Sequence, residues 1–515
     1  MTPRAPHQRP RRRWRRRLFI GLVTLLALPA LAAAVLAGLW IERPIDATRD
    51  PEHAGERALA IPPLADSRVE DGRRIFDLAA SEGTTDFGLG DGETETWGFN
   101  GSYLGPTLRA SRGEEVQVNV TNRLEETTTV HWHGHHLPAA MDGGPHQPIE
   151  PGETWSPHWR IDQPAATTWY HPHPHGETAD HVYRGLVGMF LLDDPDNAPD
   201  GLPSEYGVDD VPLIVQDKNF DSDGQLDDDE PMFSPVGFLG DTVLVNGTAD
   251  PYLDVTTEQV RLRILNGSNG RVYNLGLHDS RPFHLVGTDG GLLPEPHSTT
   301  RVQLSPGERA EILVRMEPGE IALLRSHSPD LGTDPWNNRF AGGADSFDIL
   351  QLRAADTLTE SPDLPDRLAD APHLDPDDAA VTRHFRLGGS NINGLKMDMS
   401  RIDEVVELDT TEIWEITNPG GTPHNFHVHD VQFMVLDIEG REPGAALAGW
   451  KDTIYARPGT TTRNALRFTD YTDPDIPYMF HCHVLRHEDR GMMGQFVVVE
   501  PGHTAGTPPT SDHEH

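Results

Sequence analysis

The sequence predicts an all-β protein of three similar β-sandwiches. Three observations carry that expectation. Past Ile45 the chain runs as short alternating apolar/polar stretches broken by Gly, Pro, Asn and Asp, the pattern of strands and tight turns. No long stretch has helical period. One phrase recurs three times: Val116, Val118 and Val120 end at Asn122, Val260, Leu262 and Ile264 end at Asn266, and Trp414 and Ile416 end at Asn418. A coarse repeat of about 150 residues implies three copies of one unit.

Residues 1–45 form a separate object. The first 17 residues hold eight Arg and no acid, and the uncharged apolar run Leu18–Trp40 follows. Arg16, Arg17, Leu18 and Phe19 resemble a twin-arginine export signal. The apolar run is long enough to span a bilayer as a retained anchor, and the small-residue patch Leu31–Ala34 offers a cleavage site. Either outcome places the body outside the cytoplasm, in the periplasm or its extracytoplasmic equivalent. The first sandwich is assigned to residues 55–195. Asp193–Asp209, rich in Asp and Pro, leads to the second at 209–355. Ala354–Ala380, rich in Asp, Pro and Leu, leads to the third at 378–501. The polar tail, residues 502–515, is expected to be disordered.

The whole chain carries a formal charge of −39, and beyond residue 17 there are 34 basic against 81 acidic side chains. Such a surface repels nucleic acid. A single cysteine excludes a disulfide framework. No feature calls for self-association, and a monomer is expected.

That cysteine sits in HCHVLRHEDRGMM, His481–Met493. Three other histidine clusters exist: HWHGHH at His131–His136, WYHPHPHG at Trp169–Gly176, and PHNFHVHD at Pro423–Asp430. The first two fall in the first unit and the last two in the third; the middle unit has four scattered histidines. On a strand, residues i and i+2 share a face about 6–7 Å apart. His481 and His483 therefore face one way and Cys482 the other, dividing the motif between two sites. A Cys with two His and a weak Met is the ligand set of type 1 copper: Cys482, His487, His424 and Met492. The other eight imidazoles, His131, His133, His171, His173, His427, His429, His481 and His483, suit a cluster of three copper ions. Zinc fits poorly, because structural zinc sites close with four ligands, often several Cys. The histidines His135, His136, His146, His175 and His181 are surplus and are read as outer-layer or surface groups.

These four segments resemble the copper-binding motifs of multicopper oxidases, most nearly bacterial copper-efflux (cuprous) oxidases and laccase-like three-domain enzymes. The resemblance covers nearly all of Ala60–Glu500, including WKD at Trp450–Asp452 and NGLKMDM at Asn393–Met399. It implies three cupredoxin-like Greek-key domains and four copper ions. His131 and His427 would hold type 2 copper. His133, His171 and His483 would hold one type 3 copper, and His173, His429 and His481 the other. It implies single-electron oxidation of Cu(I), of a phenolic compound or of another metal ion at type 1 copper, with O2 reduced to water at the cluster. It also gives Asp142 and Glu488 a proton-relay role, and suggests copper tolerance as the physiological role. The resemblance frays at the methionine-rich insert of cuprous oxidases, since no Met occurs from Glu317 through Lys396. Met397, Asp398, Met399 and Asp403 could form a substitute Cu(I) site, or the two methionines could simply pack.

Two other readings arise from the sequence. NFDSDGQLDDDE, Asn219–Glu230, fits the spacing of an EF-hand calcium loop, but flanking helices are not evident and DSDG is a strong hairpin turn, which is the preferred reading. Some proteins of this fold serve as copper-free envelope scaffolds; the filled ligand positions argue against that here.

Overall fold

The computed structural model describes residues 28, 29, 31, 44–90, 92–231 and 233–509. The arginine-rich stretch and nearly all of Leu18–Trp40 lie outside the described residues, and so does the expectation of a signal or anchor. Among the described residues no helix is long and apolar enough to cross a membrane.

Six sheets form three pairs along the chain. The first pair joins a sheet built on Arg73–Thr85 and Glu115–Asn122 with one containing Leu108–Ser111, His131–His133, Ala166–His171 and Gly188–Asp193. The middle pair has seven strands in each sheet and the third has five in each. Alternation is the cause: Glu115–Asn122 buries every second residue, so Val116, Val118 and Val120 face the core while the residues between them are half-exposed. Among the described residues from 44 on, the α-helices are short, at Thr178–Arg184, Pro335–Phe340 and Leu485–Asp489.

The recurring phrase has a structural reason. Asn122, Asn266 and Asn418 are all buried, and each is held alike. Each side-chain oxygen accepts from the backbone N–H two residues on, at 2.9–3.1 Å. Each amide donates to two carbonyls, at 2.8–2.9 Å: Glu126 and Ile149, Arg271 and Leu304, Thr422 and Ala456. One Asn thus closes the same turn in each sandwich with its polar groups satisfied.

Two expectations need correction. The body does not begin with its first sandwich at residue 55. Asp46–Ala47 pairs with Ser346–Phe347, and Arg57–Ala58 with Pro251–Tyr252, both in a sheet of the middle sandwich. The exposed edge left there is covered by incoming chain. Nor is the tail disordered from Gly502. Gly502 N–H donates to Glu407 (3.0 Å), Gly506 N–H to the Pro474 carbonyl (2.7 Å) and Thr507 N–H to Asp475 (3.0 Å). Backbone hydrogen bonds of this kind need no apolar side chains, so composition could not reveal them. Residues 510–515 lie outside the described residues.

Candidate metal centre

Strand pairing assembles the clusters two by two. Antiparallel register sets His171 against His131 and Trp169 against His133. In the third sandwich it sets His427 against His481. Ring contacts join the two halves: His131 stacks on His429 and His133 on His427, each at 3.7 Å between centroids. All eight imidazoles are at most 1 % exposed.

Four rings are anchored by one nitrogen and bare at the other. His131 and His427 donate from Nδ1 to the backbone carbonyls of Asp142 (3.0 Å) and Asp452 (2.9 Å), and both Nε2 atoms lack a partner. His171 donates from Nδ1 to the Pro172 carbonyl, and its Nε2 is likewise unpartnered. His133 is reversed: Nε2 donates to Asp452 Oδ1 (3.1 Å) and Nδ1 is left bare. His483 has neither nitrogen partnered. The Nδ1 atoms of His429 and His481 face Asp142 Oδ2 (2.8 Å) and Glu488 Oε2 (2.9 Å), and His173 Nδ1 lies 3.5 Å from Glu488 Oε1. The hydrogen bond to Asp142 Oδ2 fixes the tautomer of His429, and His481 Nδ1 has the Cys482 carbonyl at 3.4 Å as its acceptor, so their Nε2 atoms turned inward carry lone pairs. They nevertheless approach to 3.2 Å (His173 to His481) and 3.3 Å (His429 to His481). Lone pairs that close, in a buried site, fit a shared cation. Burial pushes His133, His171, His427 and His429 well below the ordinary histidine value and His173, His481 and His483 down to about 3, so these seven rings are neutral and ready to ligate at ordinary pH.

The second site is separate, as the alternation argument predicts, although the strand itself stops at His481. His424 Nδ1 and His487 Nδ1 lie 3.1 Å apart, with Cys482 Sγ at 3.8 and 3.7 Å from them. His487 Nε2 donates to the Pro235 carbonyl at 2.7 Å, which points its Nδ1 inward. Met492 is fully buried in the same apolar cluster as Cys482, and its carbonyl accepts from Cys482 N–H at 3.1 Å. Burial pushes the Cys482 thiol up to about 12, so a bound cation is needed to make it a thiolate. Soft sulfur with two imidazoles matches copper in donor chemistry.

The relatives agree with this donor set. Multicopper oxidase family models match residues 83–197 and 365–502. A multicopper oxidase of Staphylococcus epidermidis is 35% identical over 460 residues, covering 86% of this chain and 93% of its own. The chain is a member of the multicopper oxidase family. Membership makes it an oxidase that uses O2 with a reducing substrate, and it implies copper at these histidines. Among solved structures, a laccase-like multicopper oxidase from Ochrobactrum sp., active towards lignin model compounds and lignosulfonate, superposes with a TM-score of 0.78 at 36% identity; it covers 86% of this chain and 100% of that one. The cell division protein FtsP of Xenorhabdus nematophila is 38% identical over 450 residues, covering 86% and 93%.

The structure brings together the histidines and the cysteine that the sequence nominated as ligands, with Met492 buried in the same apolar cluster as Cys482; His171 and His173 rather than His175 turn into the cluster, and His175 is exposed. The remaining surplus histidines are engaged elsewhere: His135 with Thr168, His136 with Asp430 and Asp470, His146 with Gln495, His181 with Glu126. Asp142 and Glu488 sit directly behind ligand rings. Three other residues were not singled out from sequence. Asn425 accepts from His483 N–H (2.6 Å) and faces Cys482 Sγ (3.5 Å); its place inside PHNFHVHD was the available signal. Asp452 lies in the WKD phrase, which had been noted without a role. Arg309 lies in the middle sandwich, and no local pattern marks it. The Asn219–Glu230 loop folds as a hairpin, bridged at Phe220 and Leu226. Glu230, the twelfth position, is held by Arg486 and Arg490, which removes the bidentate carboxylate an EF-hand needs.

Proposed function

We propose that this oxidase carries four copper ions, one at Cys482, His424, His487 and Met492 and three at the eight-histidine cluster, and that its reductant is a small phenolic compound. When bound, the copper supplies one-electron acceptance at the cysteine site and four-electron reduction of O2 to water at the cluster. The chain does the rest. Cys482 is covalently continuous with His481 and His483, so three consecutive residues connect the two sites. Asp142 and Glu488 orient His131, His429, His173 and His481, and they are the carboxylates placed to pass protons towards the cluster.

The observation that carries the choice of reductant is the edge of the cysteine site. His487 is tied to the Pro235 carbonyl, two residues from Phe233, which is 57% exposed. Phe233 packs edge-on against Trp336, itself 48% exposed, giving an aromatic shelf suited to a planar ring. The Ochrobactrum relative's action on lignin model compounds supports the same class.

Cu(I), with a role in copper tolerance, is the second reading. Met397 N–H donates to the Gly491 carbonyl at 3.0 Å, which brings the Met397–Met399 segment beside Met492. Against it, Arg401 already holds Asp403 (2.6 Å) and approaches Asp398 (3.6 Å). A copper-free scaffold role, whether in the envelope or in cell division as the FtsP relative's name has it, leaves the bare nitrogens without purpose. The arginine-rich start followed by an apolar run supports export, periplasmic or extracytoplasmic, by a twin-arginine route, with or without retention of residues 18–40 as an anchor.

Oxygen uptake by the copper-loaded protein tests the choice, comparing a dimethoxyphenol with Cu(I), each with and without added Cu(II). Phenol oxidation independent of added copper is expected. Fast Cu(I) turnover, with phenol oxidised only when Cu(II) is added, establishes the cuprous reading instead.

A further inference from the structure

The middle sandwich supplies no metal ligand, yet one of its side chains reaches the cluster's supporting layer. Arg309 opens the strand Arg309–Arg315 and is completely buried. Its five N–H groups find five acceptors. Nε donates to the Thr167 carbonyl (2.9 Å), on the strand that carries His171. Nη1 donates to the Gly307 carbonyl (3.1 Å) and to Asp452 Oδ1 (2.7 Å). Nη2 donates to the Asp289 carbonyl (2.8 Å) and to Asp452 Oδ2 (2.6 Å). One guanidinium thus joins all three sandwiches and grips Asp452 as a two-pronged fork.

Asp452 faces two ligand rings. Its Oδ1 accepts from His133 Nε2 at 3.1 Å and its backbone carbonyl from His427 Nδ1 at 2.9 Å. Thr453 Oγ1 completes the junction, 2.9 Å from Asp452 Oδ1 and 3.2 Å from both rings. The sequence also makes room for the fork. Gly134 follows His133 with φ +86°, and a Cβ there would lie 2.7 Å from both Arg309 Nη2 and Asp452 Oδ2.

We infer that Arg309 is a positioning residue for the cluster: by gripping Asp452 it locks His133 with Nε2 outward and Nδ1 inward, and His427 with Nε2 inward, so that the copper-free sandwich sets which nitrogen of each ring faces the metal. A carboxylate left without its guanidinium could rotate, and His133 would then be free to present either nitrogen. Outer-layer partners of ligating histidines are worth about 10–100-fold in metal affinity.

This inference rests on the cluster being a copper site, and the test separates the two. Arg309→Met removes the fork. Arg309→Lys keeps the charge without the fork and guards against a simple folding failure. Arg271→Met is the control: Arg271 is another fully buried middle-sandwich guanidinium, and its partners Asp217, Asp345 and the Gly240 carbonyl all belong to that sandwich. Full-length wild-type and variant proteins are loaded with copper and challenged with a graded chelator, while copper content, the type 2 electron paramagnetic resonance signal and the blue absorbance are followed. The expected result for both Arg309 variants is loss of cluster copper at about 10–100-fold lower chelator strength, with an altered type 2 signal and unchanged blue absorbance; Arg271→Met should change only thermal stability. If both Arg309 variants keep the wild-type signal and the wild-type copper retention, Arg309 is merely structural and the inference fails. A wild-type protein that takes up no copper would overturn the oxidase reading itself, and this inference with it.

Discussion

The middle sandwich and the interface between the other two both bury many polar side chains, and they treat them in opposite ways. In the middle sandwich the buried charges at its core are matched, with isolated exceptions such as Asp217 Oδ1. Glu311 takes Arg261 and Arg263 together with Thr167 Oγ1, and Arg263 turns its other edge to Asp210 at 2.6 and 2.9 Å. Lys451 of the third sandwich is likewise shared between Asp289 (2.9 Å) and Glu308 (2.8 Å). At the histidine cluster, nitrogen after nitrogen is buried with nothing to meet it. Burying a polar atom without a partner costs about 1–3 kcal/mol, and a fold does not accumulate such costs in one place unless something else satisfies them. Matched burial marks structure; unmatched burial concentrated in one place marks a ligand-binding centre.

Substitutions can break that comparison, and the largest effect falls on the cysteine site. Cys482→Ser should abolish the blue absorbance and turnover, while thermal unfolding of the copper-free protein moves little; retention of full oxidase activity would refute the connection through His481 and His483. Glu488→Gln should come next, lowering oxygen uptake by about 10²-fold or more at unchanged copper content, as judged by steady-state rates and metal analysis. On the matched side, Glu311→Ala strands two buried guanidiniums and should cost about 3–5 kcal/mol of stability in denaturant unfolding, with the copper spectra intact.

Acid distinguishes the two regions more gently. Burial depresses His173, His481 and His483 from the ordinary histidine value of about 6.5 to about 3. Below about pH 6.5 the unfolded chain therefore binds protons that the folded one refuses. Their contribution is fully present above pH 6.5 and is lost as pH falls towards 3. The guanidiniums, with Arg261 foremost, outweigh burial and hold Glu311 near 2, so its contribution persists down to about pH 4.5 and is lost only below that. Thermal unfolding of the copper-free protein should decline first between pH 6.5 and 4.5. Bound copper should suppress that early loss, because it occupies the same nitrogens.

Much of this was legible in the chain. The i, i+2 rule separates Cys482 from His481 and His483, and the tripled Asn phrase announces three sandwiches. What stayed hidden depended on long-range pairing. Arg309 meets Asp452 across 143 residues, and a lone arginine in an alternating strand looks like any solvent-facing one. Asp46–Ala47 and Arg57–Ala58 are too short for periodicity to assign to a sheet. The tail was misjudged because its anchors are backbone amides, which composition does not weigh. Phe233 and Trp336 are apart in sequence and meet only after the helix Pro335–Phe340 docks.

The central claim is that electrons taken one at a time beside Cys482 leave four at a time at the histidine cluster. The most direct measurement follows, in one vessel, dimethoxyphenol consumed, O2 consumed and hydrogen peroxide formed by the copper-loaded protein. Four electrons removed from donor for each O2, with no peroxide, is the result the account predicts. Two electrons per O2 with peroxide accumulating, or no O2 uptake from a protein that holds its copper, would contradict it.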